Sequence, residues 1–223
     1  MNKEKIKLIF VGEGAVGKTS LISQFIDQKF NEEYLATIGR DKSIKDLVID
    51  NKNIKLEIWD TPGQEKYNHV NKIFMKNSKI ALIVYSITDQ QSFEKLNKWI
   101  KIVKEVNKND EIIFGIAANK SDLFENQVIS KEEGEKFAKD NGILFFETSA
   151  KDYKSIEKVF TELTKTYLKM IEEKHKNNHQ SKNNPNLNNN NTKIESFEND
   201  YVSLNEIESK DNGNDCSSKC FII

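Results

Sequence analysis

Runs of apolar residues alternate with segments of helical spacing along most of the chain. Continuous apolar runs at Ile6–Val11, Ile80–Tyr85 and Ile112–Ala118 predict buried strands. Apolar residues at helical spacing predict helices over Ser20–Ile26 and Ser92–Ile100. Because strands that alternate with helices form sheets covered on both faces, the pattern predicts an α/β fold with helices on each side of one sheet.

The segment Lys42–Asp60 departs from this alternation. It reads as two strands around the turn Asp50–Asn53, which predicts one antiparallel edge in an otherwise parallel sheet. The last helix is predicted to end near Glu173. We expect the apolar residues of the later helices to pack in the core, namely Phe93, Leu96, Trp99, Ile100, Val159, Phe160 and Leu163.

Composition limits the number of domains and the kinds of partner. With 223 residues, 37% of them hydrophobic, the chain can bury one good core rather than two. Carboxylates balance the many lysines to a net charge of −1, and no basic patch is interleaved with aromatic residues, so nucleic acid is not an expected partner. Met1–Lys5 leads directly into the first strand, so we expect no secretory signal and synthesis in the cytosol.

A glycine-rich run between the first strand and the first helix has the spacing G-x-x-x-x-G-K-T. A strand, a glycine turn and a helix N-terminus aim backbone N–H groups at one anion, which predicts a phosphate-binding loop. Lys18 would reach the β- and γ-phosphates, and the Thr19 hydroxyl would bind Mg²⁺. The predicted nucleotide-binding residues of this segment are Gly12, Glu13, Gly14, Ala15, Val16, Gly17, Lys18, Thr19 and Ser20.

A second motif, Asn119–Asp122, has the sequence N-K-S-D and follows a buried strand. A phosphate-binding loop serves ATP and GTP enzymes alike, so the tetrapeptide is what favours guanine. Without it the alternative is an adenine-nucleotide enzyme. The two motifs in this order predict a guanine nucleotide.

Around these motifs, residues 5–172 resemble the small Ras-like GTPases, and more closely the Rab family. The resemblance implies the P-loop small-GTPase fold, a six-stranded, mostly parallel sheet with one antiparallel edge strand and helices on both faces. It also implies GTP and GDP as bound nucleotides and Mg²⁺ as cofactor.

Two segments between the motifs resemble the switches of that family. In Tyr34–Gly39, similar to switch I, Thr37 is implied to bind Mg²⁺ with its hydroxyl and the γ-phosphate with its backbone N–H. In Trp59–Glu65, similar to switch II, Asp60 is implied to hold Mg²⁺ through water. The remaining implied roles are the γ-phosphate contact of Gly63 and the orientation of the attacking water by Gln64.

The guanine site is implied by the same resemblance. Lys120 would lie along the base and Asp122 would accept its two N–H donors, with Phe30 beside the ring. Adenine would leave Asp122 desolvated without donors, and sites of this kind reject the wrong partner by roughly 10⁴-fold or more. Glu147–Lys151 matches the last guanine-binding loop, in which Ala150 would donate its N–H to the base carbonyl. The implied residues of that loop are Ser149, Ala150 and Lys151.

The resemblance implies a monomeric switch in vesicle trafficking that hydrolyses GTP with Lys18, Thr37 and Gln64 at the reacting phosphate. Its implied partners are GTP-dependent effectors, an exchange factor, a GTPase-activating protein and a prenyl-binding escort or dissociation inhibitor. The sequence has one arginine, Arg40, which lies close to Thr37 along the chain and is poorly placed to act on the transition state. We therefore expect slow hydrolysis that an activating protein accelerates.

Four positions depart from the usual Rab pattern. Pro62 stands where Rab proteins usually have alanine, and proline stiffens the entry to switch II. Arg40 and Lys42 replace an apolar and an aromatic residue that many Rab proteins have there, which bears on the choice of partner. At Gly14 the chain resembles Ras more closely than it resembles many Rab proteins.

The composition changes after Glu173, where asparagine runs such as Asn188–Asn191 stand among lysine and serine. Such a stretch cannot offset the entropy of ordering itself. The sequence therefore predicts a GTPase domain over residues 1–173, a disordered linker, Asn-rich and then acidic, over 174–215, and a prenylation-type terminus over 216–223.

The last residues, Cys220–Ile223, fit the C-a-a-X pattern of prenylation. A single lipid gives only marginal membrane binding, and the acidic segment before it offers no polybasic second signal. We therefore expect a prenyl group on Cys220 and either a second lipid on Cys216 or a partner that adds affinity, on the cytoplasmic face of an intracellular or plasma membrane. The acidic residues concerned are Glu195, Glu198, Asp200, Glu206, Glu208, Asp211 and Asp215.

Other functions stay open on the sequence alone. The chain could be another Ras-type signalling GTPase, or a scaffold that holds GTP permanently because Pro62 and the altered switch I have removed its regulators. A P-loop nucleotide kinase would need an arginine-rich lid, which a chain with one arginine lacks.

Overall fold

Strands and helices alternate from Glu4 to Lys182 in a computed structural model of the chain. The structure describes residues 3–30, 42–61, 68–108 and 111–182, and of residues 68–71 and 178–182 only the backbone. The strands are β1 (Glu4–Val11), β2 (Lys42–Ile49), β3 (Lys52–Trp59), β4 (Ile80–Ser86), β5 (Ile113–Asn119) and β6 (Leu144–Thr148). The helices are α1 (Lys18–Asp27), α2 (Asn68–Met75), α3 (Gln90–Glu94), α4 (Leu96–Val106), α5 (Lys131–Asp140) and α6 (Tyr153–Lys182), with a short 3₁₀ helix at Ser121–Asn126.

Among the described residues, six strands form one sheet in the order β2-β3-β1-β4-β5-β6. The edge pair β2–β3 is antiparallel and the other neighbours are parallel. Alternate residues of β1 face opposite layers of helices: Phe10 packs against Phe160 of α6, with ring centroids 5.7 Å apart, whereas Ile9 belongs to the cluster around Trp99 of α4. The predicted α/β fold with one antiparallel edge is confirmed.

The β2–β3 turn is tighter than the sequence pattern suggests. Only Asp50 and Asn51 lie between the strands, and both have positive φ, 48° and 63°. Asparagine and aspartate tolerate this conformation, which matches the twist of a two-residue hairpin. The turn predicted over four residues therefore occupies two.

The segment predicted as one helix, Ser92–Ile100, is two helices that meet at Lys95. The carboxylate of Asp89 begins the first of them by accepting hydrogen bonds from the backbone N–H groups of Gln91 and Ser92. The core prediction is confirmed for the buried residues Leu96, Trp99, Ile100, Val159, Phe160 and Leu163. Phe93 is partly buried and packs against the cluster that contains Leu96, Trp99 and Ile100.

Helix α6 continues to Lys182, so the predicted end near Glu173 is wrong. Extending a formed helix costs far less than starting one, which favours continuation into a polar segment. Two exposed ion pairs lie near Glu173, one from Glu172 to Lys52 and one from Lys174 to Glu111. No helix in the described part of the chain has the length and apolarity to cross a bilayer.

Gly134 of α5 has no room for a side chain. A Cβ at this position would lie 2.4 Å from Tyr85 Oη and 2.7 Å from a ring carbon of Phe145. Tyr85 is completely buried, and its hydroxyl has no hydrogen-bond partner among the described residues. Burial also raises the pKa of Tyr85.

We expect Gly134→Ala to lower the free energy of unfolding by roughly 1–3 kcal/mol, because it overpacks this contact. Tyr85→Phe should be neutral or stabilising, since it removes a buried hydroxyl without a partner. It should also reduce the cost of Gly134→Ala. Urea unfolding of both single variants and the double variant, at fixed GDP and Mg²⁺, measures this coupling, and strictly additive changes would contradict it.

Candidate nucleotide-binding site

The polar motifs of the sequence meet at one edge of the sheet. The phosphate-loop segment follows β1, Asp60 follows β3, Asn119 ends β5, and Ser149 follows β6. Because these four strands are parallel to one another, their carboxyl ends lie at the same edge, where α/β folds bind ligands.

Two glycines let the phosphate-loop segment pass close to neighbouring atoms. Gly12 has φ 141°, and a Cβ there would lie 2.2 Å from the carbonyl oxygen of Val84. Gly17, at φ 96°, would place a Cβ 2.4 Å from Asn119 Nδ2. A Cβ at Gly14, in contrast, would meet no described atom within 4 Å.

Lys18 is buried at the N-terminus of α1, with 6% of its surface exposed. Its Nζ donates to the backbone carbonyls of Gly12, at 3.0 Å, and Glu13, at 2.6 Å. Burial lowers the pKa of Lys18 to about 8, although the carboxylates of Asp60 and Glu13 act in the opposite direction. An anion brought against Nζ would favour the charged form, so the site is suited to phosphate.

A hydroxyl and a carboxylate meet beside this lysine. Thr19 Oγ1 donates to Asp60 Oδ2 at 2.6 Å, and Asp60 is 3% exposed. The hydroxyl of the next residue, Thr61, donates to the carbonyl of Phe10 at 2.6 Å, which fixes the end of β3 against β1. Hydroxyl and carboxylate oxygens are ligands that Mg²⁺ prefers, so this pair fits the predicted metal.

Asn119, the last residue of β5, joins the phosphate loop to the end of β6. Its Nδ2 donates to the carbonyl of Val16 at 2.7 Å, and its Oδ1 accepts from Thr148 Oγ1 at 3.2 Å. The residue is 1% exposed, so these bonds are shielded from water. The next residue, Lys120, is in the left-handed conformation, with φ 65°.

The carboxylate of Asp122 is held from the last loop. Ser149 Oγ donates to Asp122 Oδ1 at 2.6 Å, and Lys151 Nζ lies 3.4 Å from Oδ2. Partial burial alone would raise the pKa of Asp122, but these contacts and a backbone hydrogen bond outweigh it, so the pKa lies below its usual value. Lys151 Nζ also lies 5.5 Å from the ring centre of Phe30, so these contacts bring four predicted residues into one group.

The structure thus brings together the predicted residues of four segments. Of the others, Ser20 lies in the first turn of α1 and Ala150 is buried beside Ser149. The remaining predicted positions lie outside the described residues, and these are Thr37, Gly63, Gln64, Cys216 and Cys220, together with Arg40 and Pro62.

Residues 7–169 match the Ras family. The chain belongs to the Ras family. This GTPase is 42% identical over 173 residues to Ras-related protein RabQ of Dictyostelium discoideum, a match that covers 78% of this chain and 84% of RabQ. It is 38% identical over 162 residues to Ras-related protein Rab-13 of Bos taurus, covering 73% and 79% of the two chains, and 39% identical over 166 residues to Ras-related protein Rab-2B of Dictyostelium discoideum, covering 74% and 82%.

These relatives agree with the resemblance inferred from the motifs. The chain is a Rab-like small GTPase that binds GTP and GDP with Mg²⁺ and hydrolyses GTP. The kinds of partner typical of such a GTPase are effectors, exchange factors, activating proteins and a dissociation inhibitor.

Two residues at the site of this Rab-like GTPase were not predicted from the sequence to contact the phosphate loop. Lys95 and Trp99 both contact the carboxylate of Glu13 in the phosphate loop. Trp99 was expected only to fill the core, and it does so with 1% of its surface exposed. A signal was available, because a buried tryptophan usually places its N–H on a hydrogen-bond acceptor.

Proposed function

We propose that this chain is a Rab-type GTP/GDP switch that acts on a membrane in vesicle trafficking. One observation carries the proposal: Asn119 hydrogen-bonds both the phosphate loop, at Val16, and the last loop, at Thr148. This linkage supports one continuous site in which phosphates and guanine bind together.

The proposal gives each end of the site its own group of residues. At the phosphate end, the buried Lys18 offers a positive charge beside the backbone N–H groups of Gly12–Gly17. At the base end, Asp122 offers carboxylate oxygens as acceptors, with Lys120 and Ala150 on the adjoining loops. The full proposed set of contacts is that predicted from the sequence, with Ser20, Phe30, Ser149 and Lys151 at its margins.

Thr19 and Asp60, together with Thr37, would hold Mg²⁺. Bound there, the ion would neutralise charge on the β- and γ-phosphates of the nucleotide. The 2.6 Å contact of Thr19 Oγ1 with Asp60 Oδ2 supports this assignment, because it already brings the two oxygens together.

Hydrolysis converts GTP and water to GDP and phosphate. We assign the orientation of the attacking water to Gln64 and contacts with the γ-phosphate to Lys18, Thr37 and Gly63. Loss of the γ-phosphate would release the two switch segments, and the change in their shape is what partners would read.

We expect the purified protein to hydrolyse GTP slowly. Arg40 is the only arginine in the sequence, and an arginine supplied to the transferring phosphate is worth about 10³ to 10⁵ in rate. Single-turnover phosphate release, with and without cell extract, measures this dependence. Fast release by the purified protein alone would contradict it, and Gln64→Leu should abolish the stimulated rate.

A permanently GTP-bound scaffold is the competing function, favoured by Pro62 and by Arg40, which directly follows switch I. Denaturing the protein purified from its own cells and identifying the released nucleotide separates the two. GDP together with extract-stimulated phosphate release supports the switch. Unhydrolysed GTP that extract does not change supports the scaffold.

We further propose that prenylation of Cys220 and a second lipid on Cys216 attach the switch to its membrane. The proposal rests on the C-a-a-X pattern and on the acidic residues that precede it, which an anionic membrane surface does not attract. Intact-mass measurement of the native protein tests it. One lipid with Cys216 free would reject the second lipid, and unmodified protein that binds membranes equally well would reject anchoring by lipid.

A further inference from the structure

The phosphate loop of this GTPase contains an acidic residue, Glu13, where an anionic ligand is expected to bind. Its side chain is 13% exposed and contacts the region where α3 meets α4. Glu13 Oε2 lies 2.9 Å from Lys95 Nζ, and Oε1 accepts a hydrogen bond from Trp99 Nε1 at 3.1 Å. Both carboxylate oxygens are therefore held by residues outside the loop.

The backbone of Glu13 is engaged as well. Its carbonyl accepts the hydrogen bond of 2.6 Å from Lys18 Nζ, the lysine at the centre of the site. Together with the carbonyl of Gly12, it holds the ammonium group in place. A contact that fixes the Glu13 side chain thus also restrains one of the two acceptors that position this charge.

The two contacts come from differently exposed residues. Trp99 is 1% exposed and belongs to the core cluster, so its N–H is a rigid donor. Lys95 lies at the break between α3 and α4, and 36% of its side chain is exposed. The tryptophan can set the direction of the carboxylate while the lysine offsets its charge.

An unbalanced carboxylate in this loop would repel the phosphates, because like charges at close range disfavour each other. We propose that Lys95 and Trp99 are positioning residues, which hold Glu13 so that the loop retains nucleotide phosphates. The inference rests on the phosphate-binding role proposed above for Gly12–Thr19. It adds two determinants of the nucleotide release rate, one at the break between α3 and α4 and one on α4, neither of them in a nucleotide-binding segment.

The test is the rate of release of a fluorescent GDP from the full-length protein at constant Mg²⁺. Lys95→Met should raise that rate by roughly three- to tenfold, because the ion pair that it removes is partly exposed and is therefore partly screened by water. Glu13→Gln should raise it less, because glutamine keeps an acceptor for Trp99 and carries no charge. The double variant, which carries both Lys95→Met and Glu13→Gln, should release GDP at the same rate as Glu13→Gln alone.

Lys3→Met is the matched control. Lys3 directly precedes β1, and the phosphate loop follows the other end of that strand. Its side chain forms an ion pair of 2.6 Å with Asp46 of β2. This variant should release GDP at the wild-type rate. Trp99→Phe keeps a buried ring but removes the N–H, and it should accelerate release even where its melting temperature stays close to wild type.

A purely structural role would lower the melting temperatures of Lys95→Met and Glu13→Gln without changing release. That result, or a double variant faster than Lys95→Met, would overturn the inference. Competition binding with GMP, GDP and GTP adds a second readout. Lys95→Met should lose much less affinity for GMP, which has one phosphate, than for GDP or GTP. A wild-type protein without bound guanine nucleotide would instead overturn the proposed function, so the two failures are distinguishable.

Discussion

Lys18→Met is expected to lower the affinity for GDP and GTP by about 10²- to 10⁴-fold, because removing one partner of a buried charge pair costs about 3–5 kcal/mol. Lys18 is nearly inaccessible to water, and its Nζ is held between two carbonyls of the phosphate loop. Water would not replace the lost charge there. Calorimetric titration of nucleotide-free protein with GDP and Mg²⁺ measures the loss.

The fold should survive this change. Methionine matches the length of the lysine stem and is easier to bury, so the circular dichroism spectrum of the nucleotide-free variant should match that of nucleotide-free wild type. Lys18→Arg keeps the charge but places a larger, planar guanidinium group where the lysine is already buried. This variant should also bind GDP and GTP poorly. A Lys18→Met protein that binds GDP as well as wild type would exclude this lysine from phosphate binding.

Asp122→Ala is expected to lower GTP affinity by about 10²- to 10⁴-fold, since each hydrogen bond to a charged group is worth about 1.5–3 kcal/mol and guanine offers two donors. The carboxylate is already oriented by Ser149 and Lys151, so little ordering remains to be done on binding. Inosine triphosphate, which lacks the exocyclic amine of guanine, separates the two hydrogen bonds.

Wild type should prefer GTP to inosine triphosphate, and Asp122→Ala should bind the two with similar affinity. Ser149→Ala is the control, because it removes the hydroxyl that orients Asp122 but leaves the acceptor in place. It should bind GTP less tightly and still prefer it. Equal preference in wild type and Asp122→Ala would show that the base is read elsewhere.

Much of the site was predictable because its signals are local. The spacing of Gly12, Gly17, Lys18 and Thr19 encodes a turn and a helix N-terminus within eight residues, and the apolar run before it predicts β1. The end of α6 was not predictable in this way. The helix continues past an ion pair between Lys174 and Glu111, which lie far apart along the chain.

The break between α3 and α4 shows the same limit. Apolar residues from Phe93 to Ile100 keep helical spacing through Lys95, so periodicity alone predicts one helix. The structure interrupts it at Lys95, whose side chain reaches Glu13. A contact with a residue 82 positions earlier cannot be recognised from the spacing of apolar residues around Lys95.

The sequence by itself determined the fold class, the guanine nucleotide and the family, since motif spacing and apolar periodicity depend on neighbouring residues. Only the tertiary structure decided which distant groups share the site. Asn119 meets Val16 across 103 positions and Trp99 meets Glu13 across 86. Parallel strands gather their carboxyl ends at one edge whatever their order in the chain, so those contacts follow from the sheet and the helices packed on it rather than from any segment alone.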